Sequence, residues 1–141
     1  MSFSLNCLVL GKAPADIFCV RFGDLVPIGG VNVKFNDLSV AAFKEVLSKK
    51  EQTKGINAMN VWKVELDLCE IGNIFTEDHI KNHNKSEKID DNPMLKFNKY
   101  YNNNVDEDKK PKEEYLHIFI VPTSIGKCLL MVYLSNKKIF V

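Results

Sequence analysis

The sequence predicts an α+β fold in which a mixed β-sheet is packed on one main helix. Three observations predict it. The chain opens with apolar runs that alternate at strand period, residues 39–50 repeat their apolar side chains at helical spacing, and strand-like runs return at 60–66 and 115–121. With 141 residues and 45 % apolar content, one core of ordinary size is expected and two are not.

Residues 3–10 read as a strand, 11–16 as a turn containing Pro14, and 17–22 as a returning strand, so the N-terminus predicts a β-hairpin. Its parity turns Leu5, Cys7 and Val9 inward together with Phe18, Val20 and Phe22. Cys19 then shares the outer face with Arg21, and a Cys7–Cys19 disulfide would need opposite faces to meet. The stretch 23–38 reads as an insertion. Pro27 and the pair Gly29 and Gly30 are expected to break regular structure there, although Val31, Val33 and Phe35 alternate like a short extra strand.

The spacing of Val40, Phe43, Val46 and Leu47 predicts a helix over 39–50, with Asn36, Asp37 or Ser39 as N-cap and Gly55 as a stop signal beyond. Lys49 and Lys50 suit the partial negative charge at its C-terminal end. Val61, Trp62, Val64 and Leu66 return the chain to the sheet. Residues 70–114 are rich in Asn, Lys, Asp and Glu and are expected to be mostly exposed. Within them, a short helix is expected near 76–83 and a strand or hydrophobic anchor near 94–101. Residues 115–121 form the last strand, stopped by Pro122, which cannot donate to a ladder. Phe43 and Leu47 are expected to meet Val9, Val20 and Val64. Strand, strand, helix, strand, variable region, strand is the order of a ubiquitin-like β-grasp domain.

The formal net charge of +1 disfavours binding to nucleic acid or anionic lipid through bulk charge. The apolar start lacks a basic region and a small-residue cleavage site, as a secretory signal would require. The apolar run 128–134 is shorter than the roughly 20 residues of a membrane span. Cys7, Cys19, Cys69 and Cys128 form no CxxC pair, so no zinc or redox motif is readable. At 124–127, SIGK resembles the end of a P-loop, but Val121 stands where its first glycine belongs and Cys128 where its hydroxyl belongs.

His79 and His83 have ligand-like spacing on a helix. Residue 80 is Ile rather than the Glu of a zinc-protease motif, so a solvated surface is the expectation and neither metal nor cofactor is implied. Trp62 reads as packing rather than as a partner anchor. His117 carries two readings, a functional residue or a buried group satisfying the backbone. No nucleophile elbow, Cys–His pair or separated carboxylate pair emerges, so no enzymatic activity is expected. The chain ends KKIFV rather than in the Gly-Gly of a ubiquitin-type modifier, so conjugation is not expected either.

The opening SLNCLVLG at 4–11, with Pro14 and IFCVRF at 17–22, resembles the start of the N-terminal domain of fungal Crinkler effectors. SVAAFKEVLSKKE at 39–51 is similar to that family's Lys-rich first helix, VWKVEL at 61–66 to its Trp-Lys-Val strand, and LHIFIVP at 116–122 to its closing His-hydrophobic-Pro motif. The matching positions are Leu8, Gly11, Phe43, Lys44, Leu47, Trp62, Lys63, Val64, His117 and Pro122, with delivery or packing as their role. The resemblance implies a ubiquitin-like Crinkler N-terminal domain over 1–122, with 123–141 as a tail. It implies secretion without a standard signal, delivery into a host cell and onward to its nucleus, and a host protein as partner. The sequence departs from the family at 23–38, where the family passes from strand to helix in a few residues, and in stopping soon after Pro122. Two alternatives stand beside it: an intracellular ubiquitin-like interaction adaptor in the cytoplasm, and the truncated N-terminal domain of an NTPase or nuclease effector.

Overall fold

A computed structural model describes residues 3–89, 92, 94–101 and 110–125. Cys128, the 128–134 run, the glycine and lysine of SIGK, the tail from 126 and the asparagine run at 102–104 lie outside the described residues. The described elements are β1 (Phe3–Val9), β2 (Phe18–Phe22), β3 (Leu25–Ile28), β4 (Val31–Lys34), α1 (Val40–Ser48), β5 (Ile56–Leu66), α2 (Leu68–Ile71), α3 (Glu77–Lys81), β6 (Glu87–Lys88) and β7 (Leu116–Ile125). None of these helices is long and apolar enough to cross a membrane.

Five strands form one mixed sheet in the order β2-β1-β7-β5-β6. β1 and β7 run parallel at its middle, with Cys7, Leu8 and Val9 opposite Ile118, Phe119 and Ile120, while β2 and β5 pair antiparallel on either side. The parallel pairing requires a crossover, and the chain supplies it with everything from β2 to β5. α1 lies within that crossover. Ser39 caps it, its Oγ accepting from the Ala42 N–H at 3.1 Å. Its end is closed by Thr53, a buried hydroxyl that donates to the Leu47 carbonyl.

Val40, Phe43 and Leu47 of α1 sit on the first sheet face with Leu5, Cys7, Val9, Val20, Phe22, Ile118 and Ile120. Aromatic rings fill the space between the layers: Phe43 stacks on Phe97 with centroids 4.0 Å apart, Phe22 abuts both, and Phe35 abuts Phe97 and Phe22. Each such side chain taken out of water contributes about 1.5–3 kcal/mol. The hydrophobic anchor expected near 94–101 is therefore present as a tight turn at Phe97–Lys99, with Phe97, Tyr100 and Tyr101 buried. Cys7 is buried and Cys19 exposed, on opposite faces as parity requires.

Three local expectations are corrected. Val64 does not face α1: it belongs to a second core with Leu8, Trp62, Leu66, Phe119, Val121, Ile71 and Ile80, on the other sheet face. α2, α3 and their flanks cover that face, so part of the polar 70–114 region is a packing layer and the middle of the sheet is buried on both sides, while the outer face of β2 stays exposed. In the insertion the expected extra strand is present as β4, but Pro27 and the glycine pair do not break regular structure: residues 25–34 form a β3–β4 hairpin, because Gly29 and Gly30 take φ values of 57° and 80°, the left-handed pair demanded by a two-residue turn between twisted strands. Finally, β7 continues through Pro122 to Ile125. Pro122 lies past the stretch paired with β1 and opposite Met59, next to a register shift in β5, where a missing N–H costs the ladder little.

Candidate functional site

The sequence blocks singled out above lie mostly in the two cores. Phe43 and Leu47 are on the first face, and Leu8, Trp62 and Val64 on the second. Gly11 turns the chain out of β1 with φ 95°, a conformation that favours glycine. Lys44 reaches back from α1 to the Met59 carbonyl, 3.5 Å from its Nζ. The Trp62 indole N–H donates to Glu77 Oε2 at 2.8 Å, and Asn60 Nδ2 donates to the same oxygen at 3.0 Å, which fastens α3 onto the sheet.

Lys63, Val64 and His117 converge on a cleft of about 470 Å³ between β5, the turn at 98–101 and the segment leading into β7. Among the described residues its walls carry Lys63, Lys85, Lys99, Lys110 and Lys112 against one carboxylate, Glu65. Lys63 is held in place. Its Nζ donates to the Tyr100 carbonyl at 2.8 Å and lies 4.7 Å from the centre of the Tyr101 ring. Lys99 sits 5.3 Å over the Tyr100 ring, and Lys85 is 3.6 Å from Glu65.

His117 forms the inner wall and is 4 % exposed. Its Nδ1 accepts the Asn6 backbone N–H at 2.8 Å, so the proton is on Nε2, which donates to the Lys112 carbonyl at 2.7 Å. Burial holds the imidazole below its ordinary value of 6.5, against smaller upward pulls from the Lys112 carbonyl and Glu65. With both ring nitrogens engaged, His117 is a tie between β1 and the cleft wall. Asn6 completes the tie: its Nδ2 donates to the carbonyls of Glu113 and Tyr115, both at 2.9 Å. Tyr101, whose phenol is pushed up by burial, donates its O–H to the His117 carbonyl at 3.1 Å.

The two histidines with ligand-like spacing part company. His79 Nδ1 accepts from the Phe75 N–H at 3.0 Å, whereas His83 Nε2 pairs with Glu70 Oε2 at 2.7 Å. Among the described residues, no group of three or more His, Cys, Asp or Glu is placed to hold a metal ion. Burial pushes the Cys7 thiol well up, which keeps it from acting as a thiolate. Sequence reasoning does not single out Asn6 or the cleft lysines at 85, 99, 110 and 112, and it offers Glu77 only as a neighbour of the two histidines, not as the acceptor that holds Trp62. Their common signal is the polar region itself, whose charges read as solvated until the chain folds back on β5 and β7.

Comparison with protein-family models, with curated proteins and with solved structures found no match.

Proposed function

We propose that this chain is a ubiquitin-like β-grasp domain of the kind that leads a Crinkler-type secreted effector, carrying its protein into a host cell and making protein contacts there without catalysis. The observation that carries the reading is the meeting of the resembling blocks in one unit. SLNCLVLG and LHIFIVP contribute the parallel central pair, VWKVEL the strand beside them, and SVAAFKEVLSKKE the helix packed on that sheet. Among the described residues the first and last strands run parallel at the middle of the sheet with one principal helix in the crossover, which supports a β-grasp. Delivery, destination and the host partner rest on the resemblance, since fold alone assigns no function.

A reporter fused to the C-terminus of the chain, and active only in host cytosol, tests the proposal. The reading expects signal in host cells during contact, lost when Phe43→Asp unfolds the domain. A folded fusion that never leaves the producing cell overturns it.

The second reading is an intracellular interaction adaptor. It draws on β2, which lies at the sheet edge and can accept an added strand. Retention of the fusion in the producer, together with a defined cytosolic partner there, would favour that alternative.

A further inference from the structure

The edges of the sheets are not alike. β6, one outer strand of the main sheet, is two residues long, and β7 carries Pro122 just past its pairing with β1. The small second sheet has Pro27 in β3 and Lys34 at the end of β4. Shortness, proline and lysine are features that discourage the addition of a strand. β2, the other outer strand, is free of proline, lysine and register shifts over its five residues, FCVRF at 18–22.

The direction of its main-chain groups follows from the neighbouring ladder. In β1 the Asn6 N–H donates to the His117 ring at 2.8 Å and the Leu10 N–H to the Ile120 carbonyl at 2.8 Å, so even-numbered residues of β1 turn toward β7. Backbone groups alternate along a strand. Phe3, Leu5 and Cys7 therefore turn toward β2, where Phe22, Val20 and Phe18 stand opposite and bond back to them. Cys19 and Arg21 are left with their N–H and C=O groups pointing out of the sheet edge. Both residues are exposed, and among the described residues no group takes those atoms up. The Arg21 guanidinium likewise has no hydrogen bond or ion pair among the described residues.

The strand is also close to symmetric about its centre. Phe18, Val20 and Phe22 face the first core, while Cys19 and Arg21 flank Val20 on the outer face. A twofold axis through Val20 brings β2 antiparallel to its own image with full overlap: Val20 opposite Val20 of the second copy, Phe18 opposite Phe22, and Cys19 opposite Arg21. The Cys19–Arg21 pairs are then the hydrogen-bonded ones, exchanging N–H···O bonds between groups that otherwise face water. Charge and bonding both select this register. Sliding one way sets Arg21 against Arg21, like charges face to face. Sliding the other way sets Arg21 against Ile17, whose N–H already donates to the Pro14 carbonyl at 3.1 Å.

We infer that β2 is a self-pairing edge, through which two copies of this chain join their sheets antiparallel about Val20. The edge is the one on which the adaptor reading draws, but the inference rests on neither that reading nor delivery.

The test follows the mass of the full chain by sedimentation equilibrium from about 1 µM to 1 mM, with reductant present so that no disulfide supplies the dimer. A monomer–dimer equilibrium is the expected result. The Cys19 and Arg21 amides should gain protection from hydrogen exchange as the dimer forms, whereas those of Val20 and Phe22, already bonded to β1, should be protected throughout. Arg21→Pro removes an outward N–H and leaves the β1 ladder intact, so it should stay folded and weaken the dimer by about tenfold or more. Cys19→Pro makes the same test at the other outward N–H. Arg21→Gln keeps the N–H and should dimerise within about threefold of the parent. A chain that stays monomeric over the whole range, or a dimer that both proline variants leave unchanged, overturns the inference. The first result leaves the edge to a strand from another protein, and neither bears on host delivery.

Discussion

The two faces of the sheet are held in different ways. On the first, a capped nine-residue helix and a cluster of phenylalanines press on β1, β2 and β7, and nearly every contact is apolar. On the second, two helical segments of four and five residues lie on β5 and β7, their Ile71 and Ile80 buried but their attachment shared with polar ties. Short helices contribute little stability of their own, so the second layer depends on caps and hydrogen bonds that fix its few apolar anchors. Asp67 and Glu70 form a reciprocal capping box, Thr76 caps α3, and Glu77 takes bonds from Trp62 and Asn60. A sheet of this kind has one face held by an apolar core and another that is stitched on.

The largest expected effect is on the first face. Phe43→Asp puts an unpaired carboxylate among buried rings and should leave no folded protein, a loss of more than about 4 kcal/mol, while Lys49→Asp, at the exposed C-terminal end of α1, should stay folded and lose no more than about 1 kcal/mol. Equal melting of the two variants would remove α1 from the core. The second face is tested by Ile80→Ala, expected to cost about 2–5 kcal/mol in urea denaturation because the side chain is fully buried. A cost near zero would mean that α3 is not a packed layer, and the comparison of faces would fail. Glu77→Ala removes the acceptor of two hydrogen bonds, one from a buried indole, and should cost about 1.5–3 kcal/mol. The same substitution in a Trp62→Phe background should cost distinctly less if the bond to the indole is what holds α3 down.

The first face is legible in the sequence because its rules are local. Alternation in 17–22 and helical spacing at Val40, Phe43 and Leu47 each point to one face of one element, and Ser39 advertises its cap. The β1–β7 pairing follows only from the order of elements, which is a topological rule rather than a local one. The second face escapes for a physical reason. In Leu8, Val9 and Leu10 and in 118–121 the apolar side chains run without a break, the signature of strands covered on both sides, but no long amphipathic helix remains to cover them. The cover is short, and its caps, DLCE at 67–70 and TEDH at 76–79, stand in a polar stretch where they read as more surface. The β3–β4 hairpin is hidden differently: Gly29 and Gly30 read as breakers, although in a two-residue turn they are what permits pairing. The cleft is legible only in part: Lys63, Val64 and His117 are singled out by sequence, but Lys63 and Lys112 are far apart in the chain and meet only when β7 returns beside β5.

The smallest effect concerns the tie between β1 and the cleft. His117 is held neutral, accepting from Asn6 on Nδ1 and donating to Lys112 through Nε2. Burial depresses the group because a charged ring would lose its water there, and protonation would in addition set a second donor against the Asn6 N–H. Because the folded value lies below the unfolded one, the unfolded chain binds more protons between the two, and stability falls as pH drops through that window. The contribution is full above about pH 6.5 and declines below it, in a range still above most carboxylate titrations. Urea midpoints taken from pH 8 down to about 5 should therefore fall more steeply for the parent than for His117→Gln, which cannot take up the proton. Parallel profiles for the two proteins would show that the ring titrates alike in both states, and with that the tie from Asn6 through His117 to Lys112 would lose its standing as a fixed part of the cleft wall.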